Sequence, residues 1–206
     1  MTDTSTSSQL NYLNHKSDLW SWLTTTDHKR IGLLYMYSIA VFFLTAAVLG
    51  LLMRIEKIAP GATIMTAQTY NAMFTIHGII MIFVIVIPGL SAVFGNFFLP
   101  IMIGAKDVAF PRLNLFTWYL YITGAGIALF SQFANGHSPD AGWTFYVPYS
   151  AISQTNMILA LFGAFVLGFA SILTGLNFIV TIHRLRAPGM TWLLKLLNAV
   201  LRRPWS

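Results

Sequence analysis

Ile31-Gly32-Leu33-Leu34-Tyr35-Met36-Tyr37-Ser38-Ile39-Ala40-Val41-Phe42-Phe43-Leu44-Thr45-Ala46-Ala47-Val48-Leu49-Gly50-Leu51-Leu52-Met53 is a run of 23 residues without Asp, Glu, Lys or Arg. A helix needs ~20 predominantly apolar residues to cross the hydrocarbon core of a bilayer, so this run suffices for one crossing. Three more charge-free runs follow: 48 residues at 58–105, 27 at 113–139 and 42 at 141–182. The two longest have polar, Gly/Pro-bearing flanks, which leaves one span in each. The predicted spans are 31–54, 71–103, 114–134 and 152–182. Backbone groups in lipid must be satisfied within the segment, and barrel strands would be short and alternating. The reading is an all-α membrane protein with four transmembrane helices.

The composition agrees. Of 206 residues, 56% are hydrophobic, 15% aromatic and only 9% charged, whereas soluble domains run near a quarter charged. The absence of cysteine excludes a disulfide scaffold and thiolate-held zinc or iron–sulfur sites. A net charge of +6 would suggest nucleic acid in a soluble chain, but its distribution points elsewhere. Lys16, Lys29, Arg30, Lys106, Arg112, Arg184, Arg186, Lys195, Arg202 and Arg203 fall on one side of the predicted spans, and only Arg54 and Lys57 on the other. The positive-inside rule then places both termini on the cytoplasmic side, or in an equivalent compartment. The basic excess is a topology signal with the lipid membrane as its partner, not nucleic acid.

Residues 1–25 read as a disordered or interfacial N-terminal segment, Ser/Thr/Asn-rich at first and without the pattern of a cleaved signal peptide. Leu19-Trp20-Ser21-Trp22-Leu23 reads as an interfacial aromatic anchor. Residues 26–186 are the transmembrane part, with a kink expected at Pro88 because proline has no N–H to donate. Residues 187–206 read as an amphipathic interfacial tail, in which Lys195, Asn198 and Arg202 share one face amid leucines.

Alternating spans sort the polar residues by depth. His77 lies about two turns below the outer end of the second span, at the level of Arg54, with Trp143 in the outer loop. On the inner side are Tyr35, Asn96, Asp107 in the loop, Asn114 at the start of the third span, and Ser171 and Asn177 in the fourth. His77 is the only histidine within a span, and ionisable groups there are functional by default. It reads either as a haem-iron ligand or as a hydrogen-bonding partner of a neighbouring helix. His15, His28, His137 and His183 fall outside the spans, which counts against a self-contained bis-histidine haem bundle. Asp107 reads as a solvated loop acid beside Lys106 and Arg112, or as the acid at the mouth of a hydrated path. Asn96, Asn114 and Asn177 could line such a path, because each amide both donates and accepts, or they could bond helix to helix. Arg54 either snorkels to the interface or meets a buried anion such as a haem propionate.

At these residues the chain resembles the N-terminal part of subunit I of the haem–copper oxidases, the cytochrome c oxidase family. Thr26-Asp27-His28-Lys29-Arg30-Ile31-Gly32 with Tyr35 looks like the start of that family's first helix, and Leu52-Met53-Arg54-Ile55-Glu56 like its end. Phe74-Thr75-Ile76-His77-Gly78-Ile79-Ile80-Met81-Ile82-Phe83 resembles the segment bearing a low-spin haem ligand. Phe94-Gly95-Asn96, Pro100 and Ile103-Gly104-Ala105-Lys106-Asp107-Val108-Ala109-Phe110-Pro111-Arg112-Leu113-Asn114 form the most specific stretch. Gly142-Trp143-Thr144, Ser171-Ile172-Leu173-Thr174-Gly175-Leu176-Asn177-Phe178 and Arg186-Ala187-Pro188-Gly189-Met190-Thr191 continue in order, so the resemblance covers about residues 20–191.

The resemblance implies that His77 is an axial ligand of the low-spin haem, of haem a type. It implies that Arg54 hydrogen-bonds a substituent of that haem and that Trp143 sits near its propionates. Asp107 would be the mouth of a proton path, Asn96, Asn114 and Asn177 its constriction, and Tyr35 and Ser171 groups along its water chain. Glu56 would belong to an outer cation site. The family's subunit I has about twelve spans, so these helices correspond to its first third. The second haem ligand, the high-spin haem ligand and the copper ligands lie on its later helices, expected here on a partner chain or on sequence lost by truncation. Ala170 stands where many relatives have serine, and Leu193–Ser206 finds no match. The implied function is the N-terminal portion of the catalytic subunit of a proton-pumping terminal oxidase, with cytochrome c or quinol as donor and other oxidase subunits as partners. The implied location is the bacterial plasma membrane or the mitochondrial inner membrane. The alternatives are a truncated, non-enzymatic relative that binds partner subunits without haem, and the nitric oxide reductase branch, against which the aspartate and asparagines argue.

Overall fold

The computed structural model describes residues 18–134, 138–153, 155 and 157–190. The expectations for residues 1–17 and for the tail 192–206 lie outside them. The described chain forms α1 (Leu19–Leu23), α2 (His28–Glu56), α3 (Ala67–Ile103), α4 (Pro111–Phe130), α5 (Tyr149–Ile152) and α6 (Ile158–Arg184), with no strand among the described residues. Four of these, α2, α3, α4 and α6, are long and apolar enough to cross a membrane.

Their ends follow from local chemistry rather than from hydropathy. The Asp27 carboxylate accepts from the Lys29 and Arg30 N–H groups at 2.7 and 3.4 Å, an N-cap that starts α2 at His28, ahead of the expected residue 31. His28, expected outside the spans, therefore opens the first of them. Pro111 starts α4 ahead of Asn114, because proline at the first helical position gives up no needed donor. The segment expected to begin the fourth span at 152 forms the separate turn α5, and α6 starts only at Ile158. Arg30 ties α1 to α2: its guanidinium donates to the Ser21 hydroxyl at 2.9 Å and lies 4.9 Å from the Trp22 ring centre.

The disturbance expected at Pro88 is a change of winding. Residues Ile80–Val86 and Gly89–Val93 are π-helical, while Pro88 itself has ordinary helical dihedrals of −74° and −26°. Proline cannot donate to the carbonyl of Val84 one turn back. The Tyr121 hydroxyl, from α4, donates to that carbonyl at 3.2 Å. A backbone acceptor left unmet by the sequence is thus met by a neighbouring helix, as membrane helices with internal proline require.

The closest helix pairing is α4 with α6, and two glycines permit it. A Cβ at Gly163 would lie 2.7 Å from the Ala128 nitrogen and 2.8 Å from the Gly124 carbonyl oxygen. Small residues let backbones approach where lipid offers no hydrophobic drive to associate. Replacing Gly163 with leucine is expected to force α4 and α6 apart, at a cost at or above the ~1–3 kcal/mol typical of overpacking. Thermal unfolding of the detergent-solubilised protein reads the loss, and an unchanged midpoint would contradict this contact. By contrast, α2 turns most of its surface outward: only 6% of its most apolar window is buried.

Candidate functional site

The first group forms where α2 meets α3. The His77 Nδ1 lies 2.9 Å from the Ala46 carbonyl oxygen. A carbonyl can only accept, so Nδ1 carries the proton, and in the neutral ring Nε2 then keeps its lone pair. The ring lies against Gly50, where a Cβ would come within 3.2 Å of the His77 Cε1. A Cβ at position 50 would require the imidazole to give by a few tenths of an ångström, and a branched side chain there would crowd it further. Arg54 stands one turn beyond Gly50 on the same helix face and is exposed. The loop between α4 and α5 closes on the other flank. Trp143 covers Gly78, where a Cβ would meet its Cδ1 at 2.7 Å, and makes an edge contact with Phe83. The Gly142 N–H donates to the Thr75 hydroxyl at 2.9 Å, in a turn that holds glycine at φ +78°. Trp143 therefore packs on α3 at Gly78 and Phe83, next in sequence to His77, and the face of α2 that receives His77 carries Arg54.

Asp140 organises that loop by accepting from Tyr149 at 2.8 Å and from Ser153 and Thr155 at 3.0 Å each. Donation to this carboxylate pushes the Tyr149 phenol above its ordinary value, since ionisation would lose the bond. Glu56, implied for a cation site, accepts from the N–H groups of Thr63, Ile64 and Met65 at 2.9, 2.9 and 3.2 Å and from the Thr63 hydroxyl at 3.1 Å. In this structure its carboxylate folds the α2–α3 loop.

The second group forms around the α3–α4 loop. Asp107 accepts at one oxygen from the Val108 N–H at 2.7 Å and from the His28 Nδ1 at 3.0 Å. Its side chain is 38% exposed while that of His28 is 7% exposed, so the acid reaches solvent and the imidazole backs it. Behind it, Asn96 and Asn114 are wholly buried and touch: the Asn114 amide donates to the Asn96 Oδ1 at 2.5 Å, and the Asn96 amide to the Ala92 carbonyl at 2.7 Å. Asn177 is used differently. Its Oδ1 accepts from the Phe110 N–H at 2.9 Å and its Nδ2 donates to the Phe110 carbonyl at 3.3 Å, so it clamps the loop backbone. The Asn114 N–H reaches the same carbonyl at 3.0 Å, so Asn114 and Asn177 meet at Phe110 while Asn96 joins them only through the Asn114 side chain.

Further in, the Tyr35 hydroxyl donates to Thr117 at 3.1 Å, and the Thr117 hydroxyl donates to the Asn114 carbonyl at 2.7 Å. Tyr35 and Ser171 both line a cavity of about 20 Å³, which Tyr121 and Thr174 also wall; that is room for one water. The Asn114 Oδ1 is buried and has no donor among the described residues.

Sequence reasoning missed His28, Thr117, Tyr121, Thr174 and Thr181. A signal existed for four of them. Asn114, Thr117 and Tyr121, and likewise Ala170, Thr174, Asn177 and Thr181, recur at helical spacing, and every one is buried. His28 had no such signal, because its place depends on where Asp27 starts the helix.

Fold and site together define a polytopic α-helical membrane protein with polar groups gathered at two separate places between its helices. The family described as Cytochrome C and Quinol oxidase polypeptide I matches over residues 30–201, past residue 191, where the sequence resemblance was read to end. The chain belongs to that family. It is 45% identical over 173 residues to the probable cytochrome c oxidase subunit 1-alpha of Streptomyces avermitilis, covering 82% of this chain and 30% of the relative. It is 40% identical over 189 residues to cytochrome c oxidase subunit 1 of Bacillus subtilis, covering 89% of this chain and 30% of the relative. The heme-copper oxidase subunit I+III of Aeropyrum pernix is 39% identical over 180 residues, with 84% and 22% covered. The chain thus spans about 30% of the length of the first two.

Proposed function

We propose that the chain supplies one axial histidine of a low-spin haem and the mouth of a proton path to a terminal oxidase that passes electrons from cytochrome c or quinol to oxygen. The observation that carries this reading is the state of His77: Nδ1 anchored on the Ala46 carbonyl, Nε2 with its lone pair free, and a glycine making the space. A metal-binding histidine almost always donates its second ring N–H in this way, so the residues present fit the group. When bound, the haem supplies one-electron transfer.

The chain's own residues do the rest. His77 would hold the iron through Nε2, Ala46 would fix the ring's orientation and tautomer, and Gly50 would keep it seated. Arg54 and Trp143 would meet polar substituents of the macrocycle. Asp107 would collect protons, with His28 holding its carboxylate in place. Asn96 and Asn114 would narrow the path, and the unmet Asn114 Oδ1 is an acceptor for water within it. Asn177 serves by clamping the loop that presents Asp107. The remaining axial ligand, the high-spin haem and the copper would sit on further helices of subunit I. Both termini would face the cytoplasm, with the bacterial plasma membrane as the location.

A complex purified through a tag on this chain tests the reading. Its reduced-minus-oxidised spectrum is expected to show a low-spin haem. A colourless complex, assembled and stable, would leave the non-haem membrane relative as the better reading.

A further inference from the structure

Two helices carry a buried polar series away from the Asp107 loop. On α4 it is Asn114, Thr117 and Tyr121; on α6 it is Thr181, Asn177 and Thr174. Members of each stand three or four residues apart, so each series keeps to one face of its helix. On α6 the next position is Ala170, which carries no polar group, whereas the α4 series runs on to a phenol. Tyr121 and Ala170 wall the same cavity of about 20 Å³, together with Tyr35, Thr174 and Pro88.

Three buried hydroxyls line this cavity, and each has already spent its proton. Tyr35 donates to the Thr117 hydroxyl at 3.1 Å, Thr174 to the Ala170 carbonyl at 2.9 Å and Tyr121 to the Val84 carbonyl at 3.2 Å. The last bond is possible because Pro88 has no N–H with which to claim that carbonyl. Towards the cavity all three hydroxyls are left with lone pairs alone. A water held there by these partners must turn its hydrogens to them. Such a cage suits a water that carries an excess proton, because hydronium is a donor on every side. We propose that Tyr121 is a positioning residue of the proton path, its hydroxyl holding the water that relays protons between α4 and α6 beyond the asparagines. In each transfer this water takes one proton from the water chain on the Asn114 side and releases one deeper in the membrane. The water and the hydroxyls end as they began, and no electron moves. The inference rests on the reading of Asp107 as the mouth of that path.

The test uses the assembled oxidase in sealed vesicles. Tyr121→Phe keeps the ring beside Tyr35, 5.2 Å between centres, and removes only the hydroxyl. Turnover and proton uptake are expected to fall several-fold and the solvent deuterium isotope effect on turnover to rise, with a normal low-spin haem spectrum. Adding Ala170→Ser returns a hydroxyl to the same cavity without restoring the Val84 bond, and is expected to recover most of the lost turnover. If Tyr121 only satisfied the Val84 carbonyl, Tyr121→Phe would lower the melting temperature, leave turnover and isotope effect unchanged, and gain nothing from the serine. Unchanged turnover in assembled Tyr121→Phe, or no recovery with Ala170→Ser, overturns the inference. Ala170→Val fills the cavity and leaves the Tyr121 bond in place, so it makes the same test should Tyr121→Phe fail to assemble; normal turnover there also overturns it. Asp107→Asn separates the two readings. If it is slow while Tyr121→Phe is not, the path stands and the Tyr121 station falls; if Asp107→Asn turns over fully, both fall.

Discussion

His77→Ala abolishes the low-spin haem spectrum of the assembled complex: that is the expected result, and the effect should be complete rather than graded. Alanine provides no nitrogen, and α3 carries no second histidine to replace it. The competing view is that His77 simply bonds α3 to α2 through the Ala46 carbonyl. On that view its removal costs a single hydrogen bond, ~0.5–1.5 kcal/mol, and leaves any haem untouched. A normal spectrum in the purified variant would establish the competing view. Position 50 supplies an independent check. Gly50→Val keeps the imidazole but crowds its seat at the 3.2 Å contact, so the low-spin band is expected to shift or weaken.

Asp107→Asn gives the opposite phenotype: full haem content and normal reduction by the donor, with turnover and proton pumping both severely reduced. Asp107 lies in the α3–α4 loop, away from His77, so its loss removes no iron ligand. The substitution is also mild structurally. An asparagine Oδ1 still accepts from His28 and Val108 as the aspartate oxygen does; only the ability to take up and release a proton disappears. A solvated loop acid without a role would cost little, within about 0.5 kcal/mol of stability and nothing in turnover. Full turnover with full pumping, in a variant shown to assemble, would therefore sink the proton-path assignment.

Much of the fold was legible because lipid imposes a simple rule on sequence. Charge-free runs marked all four long helices, and their alternation brought Asn114 and Asn177 to the α3–α4 loop that bears Asp107. What hydropathy could not reveal were features decided by single contacts. The start of α2 depends on one capping carboxylate, and with it the pairing of His28 with Asp107. The winding around Pro88 depends on a tyrosine from another helix. Asn177 falls with Asn96 and Asn114 by depth, and it shares the Phe110 carbonyl with the Asn114 N–H, yet its amide is spent on the Phe110 backbone. Residue type and spacing cannot distinguish an amide that lines a path from one that fastens a loop, because both demand the same donor and acceptor.

That fastening sets an order of events during synthesis. The loop bearing Asp107 is held from far downstream: Ala109 donates to the Thr181 hydroxyl, Phe110 is gripped by Asn177, and the Ala187 N–H returns to the Ile103 carbonyl at 2.9 Å. A nascent chain that has inserted only its first three spans carries Asp107 and His28 but none of these fasteners. Its α3–α4 loop would hang from two helix ends until α6 arrives to complete it. An assembly factor or protease acting on the intermediate would meet an open loop, and the same agent would find it closed one helix later.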